Sequence, residues 1–212
     1  GSSAIAPKAK EVREKEHKTK KEIVDYLKKA EGKKVAVFAK KETESLFGAG
    51  LQSLHLAVSS EEGVRIAWNE ENKSLMKKFL ENDAVDKVAY DGKVLMHLLW
   101  KEGVPLRGLS FDVMLAAYLL NSGSNVELDY LVLVEWSEEP PYLEAPYILK
   151  LEGRYQEKLD EVSKTQVQGK TLRTVLETIE MPLLPILFAM EERGVILNTQ
   201  KFKALSDQLG EE

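Results

Sequence analysis

The chain has 212 residues, 43% of them hydrophobic and 31% charged, enough to bury a full core in one or two domains. It contains no cysteine, which excludes disulfides and thiolate metal sites, and its three scattered histidines, His17, His55 and His97, have no zinc spacing. A formal charge of −5 argues against a free-standing, high-affinity nucleic-acid binder, and no apolar run reaches the roughly 20 residues that a membrane span needs.

Gly1-Ser2-Ser3 reads as an expression tag, and Ala4 to Lys20 is charged and almost free of large apolar residues, so residues 1–20 read as tag and linker. Ile23, Val24, Tyr26 and Leu27 then predict a short amphipathic helix ending near Gly32. Val35 to Phe38, Leu51 to Val58 and Gly63 to Trp68 are short runs rich in Val, Leu and Ile with turn residues between them, and they predict a three-stranded antiparallel meander. From Asn72 the pattern becomes helix (Leu75, Phe79, Leu80), strand (Val85 to Tyr90) and helix (Val94, Leu95, Leu98, Leu99) closed by Gly103 and Pro105. Such alternation predicts an α/β sheet covered by helices. Leu109 to Leu120 reads as a short extended piece and another helix, Gly123 to Pro146 as irregular, and the remainder as helical. Near the end, Glu180-Met181-Pro182-Leu183 opens a helix with proline in its first turn, and Gly194 closes it.

Four segments carry a resemblance. Met181-Pro182-Leu183 followed by Met190-Glu191-Glu192-Arg193-Gly194-Val195 and the exit Leu197-Asn198 resembles the start of the polymerase domain in bacterial family A DNA polymerases. Pro105 to Leu120, with Phe111-Asp112-Val113-Met114-Leu115 at its centre, resembles a segment of the proofreading exonuclease domain that precedes it. Lys87-Val88-Ala89-Tyr90-Asp91 is similar to the second exonuclease motif, and Glu42-Thr43-Glu44-Ser45-Leu46 to the end of the first. The resemblance implies a ribonuclease-H-like exonuclease fold: a mixed sheet with an antiparallel three-stranded start, flanking helices and a helical C-terminal half. It also implies an exonuclease-like domain over residues 21–178 and a truncated start of the polymerase domain over 179–212.

In that family two divalent metals, held by an Asp-x-Glu, a second-motif Asp and the Asp of a Tyr-x-x-x-Asp, activate water, and hard carboxylate oxygens suit such ions. The register places Glu42 at the first-motif glutamate but Lys40 at its aspartate, and an ammonium repels a dication. Asp91 stands in the second motif, where it also reads as the N-cap of the next helix. Counting back from Met181 places Tyr147 at the water-orienting tyrosine and Leu151 at the third-motif aspartate, with Glu152 about 100° off that face. Tyr147, Leu151, Tyr155, Leu159 and Val162 form an i, i+4 stripe, so Leu151 is expected in the core.

Glu42, Asp91 and Tyr147 are thus remnant positions, Lys40 and Leu151 lost ligand positions, and no metal or other cofactor is expected in this domain. Lys40 is expected to pair with Glu42 and Asp91 in place of the metal charge. The reading is a degenerate exonuclease domain that supports the polymerase domain of its own chain, with Mg²⁺ needed only by the full-length polymerase. DNA would be met weakly or through that polymerase; the isolated fragment is expected to be a monomer, without a membrane, in the cytoplasm at the nucleoid. Two alternatives stay open. One is an active metal-dependent exonuclease using Glu42, Glu44 and Asp91 with Glu144 or Glu152 as a fourth ligand. The other is a protein-interaction module without enzymatic activity. The abundance of Lys and Glu suits a thermophile. Trp136, in the irregular stretch, is a candidate for base stacking.

Overall fold

The computed structural model describes residues 13–17, 19–42, 50–137, 143–162 and 171–194. In chain order these form β1 (Arg13–His17), α1 (Lys20–Ala30), β2 (Val35–Lys41), β3 (Leu51–Ala57), β4 (Glu62–Ala67), α2 (Glu70–Leu80), β5 (Lys87–Ala89) and α3 (Gly92–Lys101). They continue with β6 (Leu109–Asp112), α4 (Val113–Leu120), α5 (Leu128–Trp136), α6 (Glu144–Val162), α7 (Leu172–Val175), a π-helical turn (Leu176–Glu180) and α8 (Met181–Arg193). The six strands make one mixed sheet in the order β1-β4-β3-β2-β5-β6. The expected meander is its centre, since β2 pairs antiparallel with β3 and β3 with β4, while β5 and β6 add in parallel beyond β2.

Local chemistry sets the helix starts. At α1 the Thr19 hydroxyl accepts the Glu22 N–H, and the Glu22 carboxylate accepts the Thr19 N–H, a reciprocal capping box. Asn69, Asp91 and Asp112 cap α2, α3 and α4 with side-chain oxygens in the same way. Strand alternation then splits the interior into two cores. Val35 and Val37 of β2 join Ile23 of α1, Met76 of α2 and Leu95 of α3 on one face of the sheet. Ala36 joins Val88, Phe111, Ala116 of α4, Leu131 of α5 and Ile148 and Leu151 of α6 on the other. The small residues on that second face let α6 lie close: a Cβ on Gly63 would stand 2.6 Å from Leu143 and 2.8 Å from Pro146. The first turn of α6 is thereby held against the sheet.

Three expectations are corrected. Residues 13–17, read as linker, are a strand paired in parallel with β4. Strand addition uses backbone N–H and C=O groups, so an open edge accepts a segment with no apolar pattern. The stretch 123–146, read as irregular, contains α5. Its Leu128, Leu131 and Val132 are buried while Tyr130, Leu133 and Val134 are exposed, so the helix is apolar almost all round and shows no amphipathic period. Finally, the helix carrying Pro182 begins at Leu172. Pro182 does stand in the first turn of α8, but the helical run passes through the π turn, where the Met181 N–H donates to Leu176 five residues back. Pro182 and Pro185 have no N–H to give the preceding turn, so the ladder is depleted where the π turn hands over to α8. Pro140-Pro141 and residues after Gly194 lie outside the described residues. Among those described, no helix is long and apolar enough to cross a membrane.

Candidate nuclease-type site

The C-terminal end of β2 carries Lys40, whose cross-strand partner on β3 is Ser53, and the pairing shifts register between Lys40 and Lys41. Two residues along β3, on the same face as Ser53, lies His55. The close approach of α6 brings its first residue, Glu144, onto this face from about a hundred positions away in the chain. Lys40 Nζ donates to Glu144 Oε1 at 2.9 Å. His55 Nδ1 donates to Glu144 Oε2 at 2.6 Å, and its Nε2 lies 3.1 Å from Ser53 Oγ. The Lys40 side chain is 50% exposed and that of Glu144 8%, so the chain of contacts runs from the solvent edge inward to the buried His55 and Ser53. Burial pushes the Glu144 carboxyl up, but the bonds from His55 and Lys40 outweigh it and hold the group below the usual carboxylate range.

This arrangement replaces the expected one. Lys40 pairs with Glu144, and neither Glu42 nor Asp91 forms an ion pair with it. Glu42 instead runs beside Gly50, where a Cβ would lie 2.8 Å from Glu42 Oε2, and its main-chain N–H donates to Gly50 O. The reason is reach: the first residue of α6 meets the β2 end face-on, whereas Asp91 is committed to its own helix. The Asp91 carboxylate accepts the Val94 N–H at 3.0 Å as the N-cap of α3. Lys40 and Asp91 still share a cavity of about 370 Å³ between the end of β2 and α3, floored by Val37, Val94 and Leu98.

Tyr147 is half-buried against the second core, Leu151 is fully buried within it, and Glu152 bonds Lys34, the residue before β2, at the opposite end of that strand from Lys40. Of the expected stripe, Leu151, Tyr155 and Leu159 are buried and Val162 is exposed. The acid that α6 presents to Lys40 at the end of β2 is Glu144, two turns before Leu151. Glu44 lies outside the described residues. Trp136 closes α5 with the Lys150 ammonium 4.1 Å over its ring.

Asp112 is a buried acid that pattern reading did not single out. Its Oδ2 accepts the Gly92 N–H at 2.6 Å and its Oδ1 the Leu115 N–H at 3.1 Å, so one carboxyl ties the starts of α3 and α4 together. A Cβ on Gly92 would stand 2.5 Å from Leu109 and 3.0 Å from Asp112 Oδ2, so glycine is what allows the approach. Burial pushes the Asp112 carboxyl up to about 7 against the pull of these N–H donors. The available signal was the motif itself, Asp before a helix, which marks a cap. The second helix it serves is 20 residues away in sequence.

Among the described residues no three His, Asp or Glu side chains stand close enough to hold an ion, and the cation beside Glu144 is the Lys40 ammonium.

Residues 52–132 match the family described as DNA polymerase I, ribonuclease H-like domain. The chain carries a DNA polymerase I exonuclease-like domain. It is 29% identical over 153 residues to DNA polymerase I of Bacillus subtilis, covering 64% of this chain and 17% of that protein. To DNA polymerase I of Synechocystis it is 31% identical over 159 residues, covering 66% and 16%. The chain therefore spans about a sixth of the length of these relatives. Among solved structures, the POL domain of Pol1 from M. smegmatis, in complex with DNA primer-template and dNTP, superposes with TM-score 0.77 at 21% identity over 94% of this chain and 35% of that one. Escherichia coli RNase D, an exoribonuclease, superposes with TM-score 0.62 at 12% identity over 87% of this chain and 52% of that one. These likenesses establish the ribonuclease-H-like fold, in which the β2 end, the start of α3 and α6 converge around Lys40.

Proposed function

We propose that this exonuclease-like domain of DNA polymerase I has lost the two-metal reaction and serves as a structural support for the polymerase domain of a longer chain. The observation that carries the reading is the Lys40–Glu144 ion pair at the C-terminal end of β2. A two-metal centre needs several oxygens converging on one volume, and here a resident ammonium supplies the positive charge to Glu144 while Asp91 is spent as a helix cap. Leu151 supports the same reading, because an alkyl group inside the core offers no ligand. The alternative centre built on Glu42, Glu44 and Asp91 with Glu144 requires Glu144 to leave both Lys40 and His55, at the cost of leaving the buried His55 without its acceptor.

DNA synthesis and its Mg²⁺ requirement then belong to the rest of the polymerase chain, and DNA reaches this domain weakly or through that chain. Residues 21–178 form the exonuclease-like unit and 179–212 the start of the polymerase domain, joined by the unbroken helical run of α7, the π turn and α8. The test is calorimetric titration of Mn²⁺ and Mg²⁺ into the purified chain, with a parallel assay for shortening of a labelled single-stranded oligonucleotide. No heat of binding and no shortening are expected; tight binding with metal-dependent cleavage would overturn the reading.

A further inference from the structure

We propose that the groove where the end of α5, the middle of α6 and the β3–β4 turn meet is a binding site for single-stranded nucleic acid, with a base seated against Trp136 and Gly153 and its phosphate between Lys150 and Arg154. The proposal rests on the reading above only in that DNA reaches this domain; it does not depend on the Lys40 site being inactive. The groove encloses about 460 Å³, and Ser60, Trp136, Lys150, Gly153, Arg154 and Glu157 are among its lining residues. It lies at the opposite end of the strands from Lys40. Ser60 follows β3 beyond Ala57, which pairs with Ala36, and Ala36 is four residues, about 14 Å, from Lys40 along β2.

Nothing in the fold asks for Gly153. It stands at the centre of α6 and is exposed. Glycine inside a helix is disfavoured against alanine, because it gives up more backbone freedom on folding. Gly63 and Gly92 answer to close neighbours, but a Cβ on Gly153 would meet nothing within 4 Å, and its φ is not positive. Neither packing nor backbone conformation within the described residues requires glycine there. A bare stretch of helix beside an indole does make a flat floor that a planar ring can approach closely.

The walls supply charge. Lys150 Nζ lies 4.1 Å over the Trp136 ring, so ring surface and an ammonium stand side by side. One turn further along α6, Arg154 donates from Nε to Glu135 at 3.2 Å and from Nη1 to Glu157 at 3.3 Å, and among the described residues no acceptor meets its Nη2. Glu135 is nearly buried and also takes the Lys158 ammonium, so it is committed inside the fold. The groove lining therefore carries two cations, Lys150 and Arg154, against one acid, Glu157, in a chain whose net charge is −5. Sites for single strands combine such positive charge with aromatic rings on which bases stack, without reading sequence. An acidic peptide would use the same cations but would leave the flat floor unused.

The test is fluorescence anisotropy of a labelled oligothymidylate titrated with the 212-residue chain at low salt, in EDTA to prevent metal-dependent cleavage. The wild type is expected to bind, and Trp136→Ala to bind about tenfold more weakly or worse. Lys150→Ala/Arg154→Ala should flatten the slope of log affinity against log salt by about 1. Gly153→Leu covers the floor and should weaken binding about tenfold without lowering Tm, while Gly153→Ala should raise Tm by about 2 °C or more, so weaker binding there is not a failure to fold. No binding by the wild type, or groove variants that bind as it does, would overturn the proposal. So would binding lost in Lys40→Met and kept in Gly153→Leu, which would put the strand at the end of β2. Displacement of the oligonucleotide by polyglutamate at equal charge would overturn it too, making the groove a site for acidic peptides. Metal-dependent oligonucleotide shortening by the wild type would sink the inactive-site reading while leaving these binding results standing.

Discussion

Replacing Lys40 by methionine removes the ammonium from Glu144 but keeps the aliphatic stem. Taking one partner from a fully buried pair costs about 3–5 kcal/mol, whereas an exposed pair is worth about 0–1 kcal/mol. Glu144 is close to the buried limit and Lys40 is half-exposed, while His55 still donates to the orphaned carboxylate. The geometry therefore sets the cost of Lys40→Met at about 1–2 kcal/mol, between those limits. For a chain of this size that is a fall in Tm of about 2–8 °C. The pH dependence has a definite sign. Glu144 is held below its ordinary value of 4.5, so its contribution is present above pH 4.5 and is lost as pH falls through the lower folded value. Thermal unfolding followed by circular dichroism at pH 7 and near pH 3 is the assay. The two proteins should differ at pH 7 and converge in acid. Equal stability at pH 7, or a gap that persists undiminished in acid, would refute the assignment of Lys40 as the counter-charge of Glu144.

Other outcomes follow from the same geometry. Lys40→Asp exchanges the resident cation for a ligand, so Mn²⁺ should raise the Tm of that variant and leave the wild type unmoved; an equal response in both would count against charge replacement. Asp112→Ala leaves the Gly92 and Leu115 N–H groups without an acceptor inside the fold, an expected loss of about 2–4 kcal/mol by urea unfolding. Because burial raises Asp112 to about 7 from an ordinary 3.8, the folded chain keeps a proton that the unfolded chain releases. The Asp112 contribution to stability falls as pH rises between those values, opposite in sign to Glu144, and Asp112→Asn should remove that slope. Gly92→Ala forces a methyl group against Leu109 and the Asp112 carboxyl and should cost about 1–3 kcal/mol, measured by the same unfolding curves.

Sequence alone determined the elements whose signals are local. The meander follows from short β-branched runs punctuated by turn residues, α3 from its apolar spacing and the Asp91 cap, and the Leu151 burial from an i, i+4 stripe, because periods of 2 and 3.6 report which side of a segment meets a core. That Lys40 and Leu151 stand at ligand positions is implied only by the resemblance, through the register that the Met181-Pro182 and Tyr90-Asp91 segments supply. Tertiary structure alone decided what those positions touch. The partner of Lys40 is 104 residues away and that of His55 is 89, and no period within either segment encodes which acid α6 will set against β2 and β3. Asp112 announces one helix cap in sequence and serves two in space. Strand β1 and helix α5 escaped for complementary reasons, the one because edge pairing uses backbone and ignores side-chain pattern, the other because a helix apolar on nearly every side has no period to read. Hydrogen bonds between distant segments depend on how closely two elements approach, and that distance is fixed by small residues such as Gly63 and Gly92, whose role appears only when the facing element is in place.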